Sequence, residues 1–390
     1  MTNIQIKIPR AVVQKYLEAK EGCPVKILEY EKLGSGWHGT GYKVKFKILT
    51  PPRIARHPSP QSGEGNKRGE VKEVVIRTLM PANFSHDWLS DRAKVFVLQH
   101  EVARLIPNHI NSFDVSGYTK GNELVSLGDV KEFFQIVEVA KGISYSQDFR
   151  RIMESGKLAD GDIKKAIVLS DYLVKLHSKK FKGSKEELRS IRRRHSRDAL
   201  GHGEMMIGVV DTYPDNFSFI TKEKLTYIIC KAAKFREGIK DVPFTPCRMH
   251  GDFHPGNILF SAKGGSASGG DGKKMTLLDA SREVCGDPAD DVTTMAINYI
   301  WFAVMQAGKF DGPFAKLFNA YWHNYFKKTG DRHILRTAGI YFAFRGVVVA
   351  HPVFYGLQSD NVRRKMMRFV DKVLSDRSFD PNKINAYLGK

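Results

Sequence analysis

The stretch MHGDFHPGNILF (249–260) is the most informative part of this chain. Asp252 follows a His-Gly pair, and Asn257 comes five residues later, directly before an apolar run. Phosphoryl transfer needs a carboxylate that orients the attacking hydroxyl and accepts its proton, with an oxygen ligand for Mg²⁺ close by. An aspartate and an asparagine on one tight loop can supply both, so these two residues are candidates for that chemistry.

A second stretch, LLDASREVCGDPADDV (277–292), supplies a third candidate. Asp279 ends an apolar strand that follows the low-complexity linker SAKGGSASGGDGKK. A hairpin between this strand and the apolar run NILF (257–260) would bring the Asp279 carboxylate beside the Asn257 amide. Both groups could then hold Mg²⁺ on ATP phosphates. The acidic run that follows is predicted to open the next helix. We therefore interpret Asp291 as support for the catalytic loop HGDFHPGN (250–257), called the HGD loop below, rather than as a metal ligand.

Taken together and in this order, HGDFHPGN, LLD and GDPADD resemble the aminoglycoside phosphotransferase and choline kinase family. The resemblance covers about residues 25–300 and implies a protein-kinase-like fold. It also implies that Asp252 is the catalytic base and that Asn257 and Asp279 are magnesium ligands. Mg-ATP is then the expected phosphoryl donor.

The hydrophobic pattern predicts an α+β protein with two lobes. Strands dominate the first third, as in YKVKFKIL (42–49), where apolar and charged residues alternate strictly, and helical spacing prevails afterwards. We expect a small β-rich nucleotide-binding lobe at 1–140 and a larger helical lobe at 141–390, with a hinge at about 138–142. The second lobe would hold the catalytic loop, the metal-binding strand end and the helices that select the substrate.

The first lobe carries the residues that the resemblance assigns to ATP. The turn GSGWHGTG (34–41) would bring backbone amides to the phosphates, although a plain hairpin remains the alternative. In the family a strand lysine contacts the phosphates, and its place in VVIRT is taken by Arg77, which is longer and planar. Its expected partner Glu101 could equally lie on a solvated helix face. The expected nucleotide contacts are Gly34, Ser35, Gly36, Gly39, Arg77, Glu101 and the hinge residues Glu138 and Val139.

An excess of basic residues is the main compositional feature. The chain has 62 Lys and Arg against 42 Asp and Glu, a net charge of +20. From residue 141 onward there are 42 basic and 27 acidic residues, so most of the excess lies in the predicted helical lobe. Such a charge suits an anionic substrate, nucleic acid or an acidic surface, but it can also serve solubility alone. It disfavours a polycationic acceptor such as an aminoglycoside.

The densest basic run is LRSIRRRHSRDALGHGE (188–204). Arg189, Arg193 and Arg197 recur every fourth residue and would share one face of a helix. Such a cluster could bind the phosphate or carboxylate of an acceptor. The alternative is a solvated face whose arginines pair with nearby acidic residues, namely Glu186, Glu187 and Asp198.

These observations favour an ATP-dependent phosphotransferase acting on a hydroxyl of a small anionic or neutral molecule. One alternative is an atypical protein kinase, although no APE-type segment follows Asp279. Another is a non-catalytic protein that binds nucleotide or nucleic acid, which Arg77 and the +20 charge favour. The four cysteines form no CxxC pair and no apolar run reaches the length of a membrane span, so a cytoplasmic location without membrane attachment is expected. The sequence names neither the acceptor nor the oligomeric state.

Overall fold

The computed structural model describes residues 7–33, 39–49, 69–79, 86, 88–103, 105–107, 109–133, 135, 137–261, 275–280 and 285–389. The chain forms two compact units, Met1–Val137 and Glu138–Lys390. Strands provide most of the regular structure described in the first unit, and helices dominate the second. The expected α+β class is confirmed.

The first unit is built on a three-stranded antiparallel sheet in the order β1-β2-β3. The alternation in YKVKFKIL is confirmed, because every second side chain of this segment is buried in the core of the unit. Helix α1 packs against β1, and its Leu17 is fully buried. The elements are α1 (Arg10–Glu21), β1 (Val25–Lys32), β2 (Gly39–Ile48), β3 (Val71–Leu79), α2 (Leu89–Ala103), β4 (Ser116–Tyr118) and β5 (Leu124–Ser126).

The second unit is mainly helical and contains a small sheet in the order β6-β7-β8. Its strands are β6 (Ile143–Ser144), β7 (Ile258–Phe260) and β8 (Met275–Leu277). Its helices are α3 (Tyr145–Ser155), α4 (Asp162–His177), α5 (Lys185–Gly201), α6 (Met206–Asp211), α7 (Lys222–Ile239), α8 (Pro288–Ala307), α9 (Gly312–Thr329), α10 (His333–Val349), α11 (Asp360–Val373) and α12 (Ile384–Tyr387). Short 3₁₀ turns lie at Pro255–Asn257 and Pro381–Lys383.

Helix α8 lies at the centre of this unit. It is apolar around most of its circumference, and it packs on both α9 and α10, which explains why 15 of its 20 residues are buried. Asp287 caps its N-terminus by accepting the Ala289 N–H at 2.9 Å, and Pro288 occupies the first turn, where a missing N–H costs nothing. Complete burial of each large apolar side chain contributes about 1.5–3 kcal/mol. The acidic first turn of α8 is thereby held in a fixed place.

The predicted hairpin around the linker is confirmed. Strands β7 and β8 pair antiparallel, with Ile258 opposite Leu277. The Leu278 N–H also donates to the carbonyl of Asn257 at 2.9 Å. The pairing therefore places the end of β8 beside the end of the HGD loop. None of the helices that the structure describes is long and apolar enough to cross a membrane.

Candidate active site

The shape of the HGD loop depends on Gly251, at a position that residues other than glycine rarely suit. Gly251 has a φ of 86°, a left-handed conformation that side chains with a Cβ rarely adopt. Its N–H donates to Asp291 Oδ1 at 2.8 Å, and its carbonyl accepts from Arg345 Nη2 at 3.0 Å. Both backbone polar groups of Gly251 are therefore hydrogen-bonded to side chains of helices α8 and α10.

Asp291 supports the loop from the first turn of α8, as its place in the sequence predicted. Its carboxylate is completely buried and accepts the N–H groups of His250 and Gly251, each at 2.8 Å. Its Oδ2 also lies 3.1 Å from His177 Nε2. Burial would raise the pKa of Asp291, but His177 and the two amides outweigh burial and hold that pKa below its usual value. The carboxylate is therefore ionised and fully used in holding the loop.

His177 extends this support to a third helix. It ends α4, only 2% of its surface is exposed, and its Nδ1 lies 2.8 Å from the hydroxyl of Tyr325 on α9. A histidine whose two ring nitrogens are both held by buried partners has a structural role.

Asp252 follows Gly251 and is only partly exposed, with 21% of its side chain accessible. Its Oδ1 accepts from Arg345 Nη1 at 2.6 Å, and its Oδ2 accepts from Asn257 Nδ2 at 3.2 Å. The Asn257 amide donates to the Asp252 carbonyl as well, at 3.1 Å. Both carboxylate oxygens are thus oriented by fixed donors, and the aspartate and asparagine singled out from the sequence are brought together.

Arg345 was not found from the sequence. It lies on α10, with only 8% of its side chain exposed, and it contacts the HGD loop through both terminal nitrogens. Its Nη2 also lies 3.8 Å from Asp290 of α8. A signal was present, because Arg345 interrupts the otherwise apolar run GIYFAFRGVVV, and a charge on a buried helix face needs a partner.

The two residues expected to bind magnesium offer oxygen ligands. The Asn257 side chain is nearly buried and spends its Nδ2 group on Asp252, which leaves its Oδ1 as the atom able to bind a cation. Asp279 follows the residue that pairs with the Asn257 carbonyl, and its side chain is exposed. One amide oxygen and one carboxylate suit Mg²⁺, which keeps several waters and few protein ligands. No cluster of three or more His, Cys, Asp or Glu able to hold a metal occurs among the described residues.

Asp279 has an unusual backbone conformation. Its φ is 51°, in the left-handed region that costs most residues about 1–3 kcal/mol, although aspartate tolerates it better than most. Strained conformations of this kind concentrate at functional sites. This strain is an observation independent of the motif that first indicated Asp279.

His254 completes the loop. Its Nε2 lies 3.6 Å from Asp252 Oδ2, and its Nδ1 accepts the Gly256 N–H at 3.0 Å. Burial lowers the pKa of His254, and this effect outweighs the opposing charge of Asp252, so the ring is neutral at pH 7. A neutral His254 does not compete with Arg345 for the carboxylate.

The expected nucleotide contacts of the first unit are only partly described. Gly34, Ser35 and Gly36 lie outside the described residues, and Gly39 begins β2, opposite Leu79. Glu138 and Val139 open the second unit and are exposed. Their contact with ATP stays a prediction.

Arg77 lies on β3, but its partner differs from the expected one. It donates to Gln99 Oε1 at 2.7 Å, and its guanidinium lies 5.9 Å from the centre of the Phe96 ring. Residues two apart on a helix point about 200° apart, so Gln99 and Glu101 cannot both face Arg77. The structure therefore pairs Arg77 with Gln99. Glu101 is exposed, which agrees with the alternative that it lies on a solvated helix face.

The arginine cluster on α5 also differs from the substrate site that we expected. Arg189 and Arg193 both bind Asp241, with Nε–Oδ1 distances of 3.0 and 2.9 Å, and Arg197 binds Asp198 at 2.8 Å. The two arginines hold the pKa of Asp241 well below its usual value. This geometry supports the alternative interpretation, a solvated helix face whose arginines form ion pairs. The principal partner differs from the expected one, because Asp241 lies about fifty residues further along the chain than the arginines.

A cavity of about 240 Å³ opens beside Asp252 in the second unit. Polar groups of the HGD loop, α8 and α10, together with Glu204, line one part of it, and apolar side chains from α6, α8, α10 and the loop after α10 line the rest. The arginines of α5 do not contribute to this lining. The lining residues are Glu204, Val209, Asp252, His254, Thr294, Ile297, Asn298, Phe344, Arg345, Val348, Val349, Phe354 and Tyr355.

The part of the chain that contains this loop and the start of α8 can be compared with known families. Residues 228–333 match the phosphotransferase enzyme family, abbreviated APH. This match confirms the resemblance seen in the motifs. It includes Asp252, Asn257, Asp279 and Asp291 and ends before Arg345. No curated protein matches the chain in sequence.

Three solved structures illustrate how distant the similarity in sequence is. A glucosamine kinase in complex with glucosamine, ADP and inorganic phosphate is 13% identical, with a TM-score of 0.38, over 58% of this chain and 60% of its own. The match thus spans less than two thirds of that kinase. An amicoumacin kinase bound to AMP-PNP and Ca²⁺ is 12% identical, with a TM-score of 0.36, over 96% of this chain and 98% of its own. An ethanolamine kinase from Plasmodium vivax is 11% identical, with a TM-score of 0.34, over 88% and 81%.

Proposed function

We propose that this chain is an ATP-dependent phosphotransferase that transfers the γ-phosphoryl group to a hydroxyl of a small molecule. The observation that carries the proposal is the fixed Asp252 carboxylate, held at the edge of a cavity by Arg345 and Asn257. The family match over residues 228–333 supports the reaction class. The acceptor and the use of ATP are part of the proposal.

In this proposal Asp252 accepts a hydrogen bond from the acceptor hydroxyl and takes its proton. The hydroxyl oxygen forms a bond to the γ-phosphorus as the bond to the departing ADP oxygen breaks. Arg345 and Asn257 hold the carboxylate in one orientation, so little reorganisation is needed when the reaction occurs. Because both carboxylate oxygens already accept from fixed donors, Asp252 would orient the hydroxyl as well as accept its proton.

Asn257 and Asp279 would hold Mg²⁺ in the same proposal. The metal would neutralise negative charge on the ATP phosphates. The strained backbone of Asp279 would aim its carboxylate at that position. The exposed Glu138 and Val139 would offer backbone groups to adenine, and Arg77 would take the place of the family lysine.

The test is phosphate transfer from ATP in the presence of Mg²⁺ and a pool of hydroxylated metabolites. We expect Asp252→Asn to lower turnover by about 10²–10⁴-fold, the usual cost of losing a positioned base, and to leave ATP affinity unchanged. Asp160→Asn, an exposed aspartate on the same unit, is the matched control. Turnover by Asp252→Asn within a few-fold of the parent would remove Asp252 from this role. Mg-dependent ATP binding without any transfer would favour a non-catalytic nucleotide-binding protein instead.

A further inference from the structure

The cavity beside Asp252 has an aromatic rim that the family motifs do not contain. After α10 the chain makes a tight loop through Phe354, which lines the cavity although 56% of its surface is exposed. Single exposed apolar residues are common and need no explanation. Phe354 differs because its ring and its backbone are both held in place, as the contacts of His351 show.

His351 fixes this loop from below and is completely buried. Its Nδ1 accepts the N–H groups of both Val353 and Phe354 at 3.1 Å, and its ring stacks on Phe354 with centroids 3.8 Å apart. Its Nε2 lies 3.1 Å from the Thr212 hydroxyl, which donates its own proton to a backbone carbonyl. This network assigns the proton to Nε2 and keeps Nδ1 as an acceptor.

Arg363 of α11 holds the far side of the same loop. Its Nη2 donates to the carbonyl of Tyr355 at 2.9 Å, and its Nη1 donates to the carbonyl of Gln358 at 2.6 Å. The Phe354 ring therefore belongs to a rigid support and has one face against His351. Its exposed surface is available to a molecule in the cavity.

The charges in the lining indicate what kind of molecule this is. Among the described residues that line the cavity, Arg345 is the one lysine or arginine. Its guanidinium already donates to Asp252 and Gly251. An anionic acceptor would thus meet no lysine or arginine in the described lining that is not already hydrogen-bonded within the protein. The carboxylate of Asp252 is bonded to Arg345 and Asn257, and Glu204 is exposed to water, which screens its charge, so neither is a strong counter-ion for a cationic acceptor. Apart from Glu204, His254 and Thr294, the rest of the lining consists of apolar and aromatic side chains and the amide of Asn298, whose Nδ2 donates to a backbone carbonyl and whose oxygen can accept from a hydroxyl.

We propose that Phe354 is a specificity-determining residue that receives the apolar face of an uncharged cyclic polyol, with His351 as its positioning residue. This rests on the proposed function, since the polyol hydroxyl nearest Asp252 would be the one phosphorylated. The cavity is somewhat smaller than most ligand pockets, which suits a single sugar-sized ring. The proposal replaces the anionic acceptor suggested by the charge of the lobe.

The experiment measures calorimetric binding of three probes with one ring and different charge: glucose, glucosamine and glucose 6-phosphate. It is run without ATP, so its result does not depend on transfer. We expect glucose to bind most tightly. Phe354→Ala should weaken glucose binding roughly five- to tenfold, as loss of one aromatic contact does, while Phe354→Trp should retain it. His351→Asn can still accept the two loop N–H groups but loses the stacked ring, so its affinity should fall between those of the parent and Phe354→Ala.

Tighter binding of either charged probe, equal glucose affinity in Phe354→Ala, or absence of glucose binding would each overturn the proposal. Phe354-dependent glucose binding without any phosphate transfer would preserve the aromatic site and refute the proposed function. Transfer that depends on Asp252 but is indifferent to Phe354 would do the reverse.

Discussion

Arg345 on α10 donates to the carboxylate of Asp252 on the HGD loop across 2.6 Å, although the two residues are 93 positions apart in the chain. The same guanidinium holds the carbonyl of Gly251. A residue that lies beyond the matched family segment therefore fixes the carboxylate to which the reaction is assigned. The importance of the orientation of Asp252 can therefore be tested by replacing Arg345, which takes no part in the proposed proton transfer.

Replacing Arg345 should damage catalysis more than nucleotide binding. We expect Arg345→Met to lower kcat by about 10²-fold, because a misplacement of about 1 Å can cost that much. It should also lower the free energy of unfolding by about 1–3 kcal/mol, since buried acceptors lose their donor. Steady-state kinetics and chemical denaturation measure the two effects.

Arg364→Met is the matched control, because Arg364 is exposed on α11. Arg345→Lys should recover part of the activity, as it restores one charged donor without the two-nitrogen contact. Full activity in Arg345→Met would show that Asp252 needs no such support.

Asp279 allows metal binding and backbone strain to be separated. We expect Asp279→Asn to abolish most of the increase in ATP affinity caused by Mg²⁺ while leaving stability nearly unchanged, because asparagine also tolerates a positive φ. Asp279→Ala should lose the Mg²⁺ effect and about 1 kcal/mol of stability as well. Calorimetric titration of ATP with and without Mg²⁺ gives the first quantity. An undiminished Mg²⁺ effect in both variants would sink the assignment of Asp279 as a ligand.

The arginine pairs on α5 should have little influence on the acceptor. Arg193 binds Asp241 and Arg197 binds Asp198 at the surface, where such pairs contribute about 0–1 kcal/mol. We therefore expect the double variant Arg193→Ala, Arg197→Ala to keep the KM for the acceptor and for ATP within about twofold. A tenfold rise in the acceptor KM alone would restore this cluster as a substrate site.

His333 makes the stability of the second unit depend on pH. Its ring lies 3.4 Å from Asp287 and 3.5 Å from Asp331 and stacks on Phe244. Burial opposes its charged form, but the two carboxylates prevail and raise the pKa of His333 to about 9. The folded state then favours the protonated ring. Its contribution is complete below the unfolded pKa of about 6.5 and is lost as pH rises through about 9.

Each pKa unit corresponds to 1.36 kcal/mol, so this contribution is up to about 3 kcal/mol. The difference in unfolding free energy between the parent and His333→Gln should be largest near pH 6 and shrink towards pH 10. His323→Gln, which changes an exposed histidine of α9, should show no such trend. A difference that is constant from pH 6 to 10 would mean that folding does not raise the pKa of His333.

The sequence predicted the HGD loop, the hairpin and the support from Asp291 because these features are local or follow from strand pairing. Arg345 was missed because its contact depends on how α10 packs, which no short spacing encodes. The arginines of α5 show the opposite limit. Their spacing correctly predicted one helix face, but their partner Asp241 is about fifty residues further along the chain. Charge counted along a sequence cannot reveal that a distant carboxylate already neutralises it.

Asp291 has a consequence for how the molecule exchanges its amide hydrogens with solvent. Backbone amides in loops usually exchange quickly, because water reaches them without unfolding. The amides of His250 and Gly251 instead donate to a buried carboxylate that is itself held by His177. Their hydrogens should therefore exchange as slowly as those in the middle of α8, through global opening alone. The loop to which the chemistry is assigned would then be among the last parts of the protein to loosen.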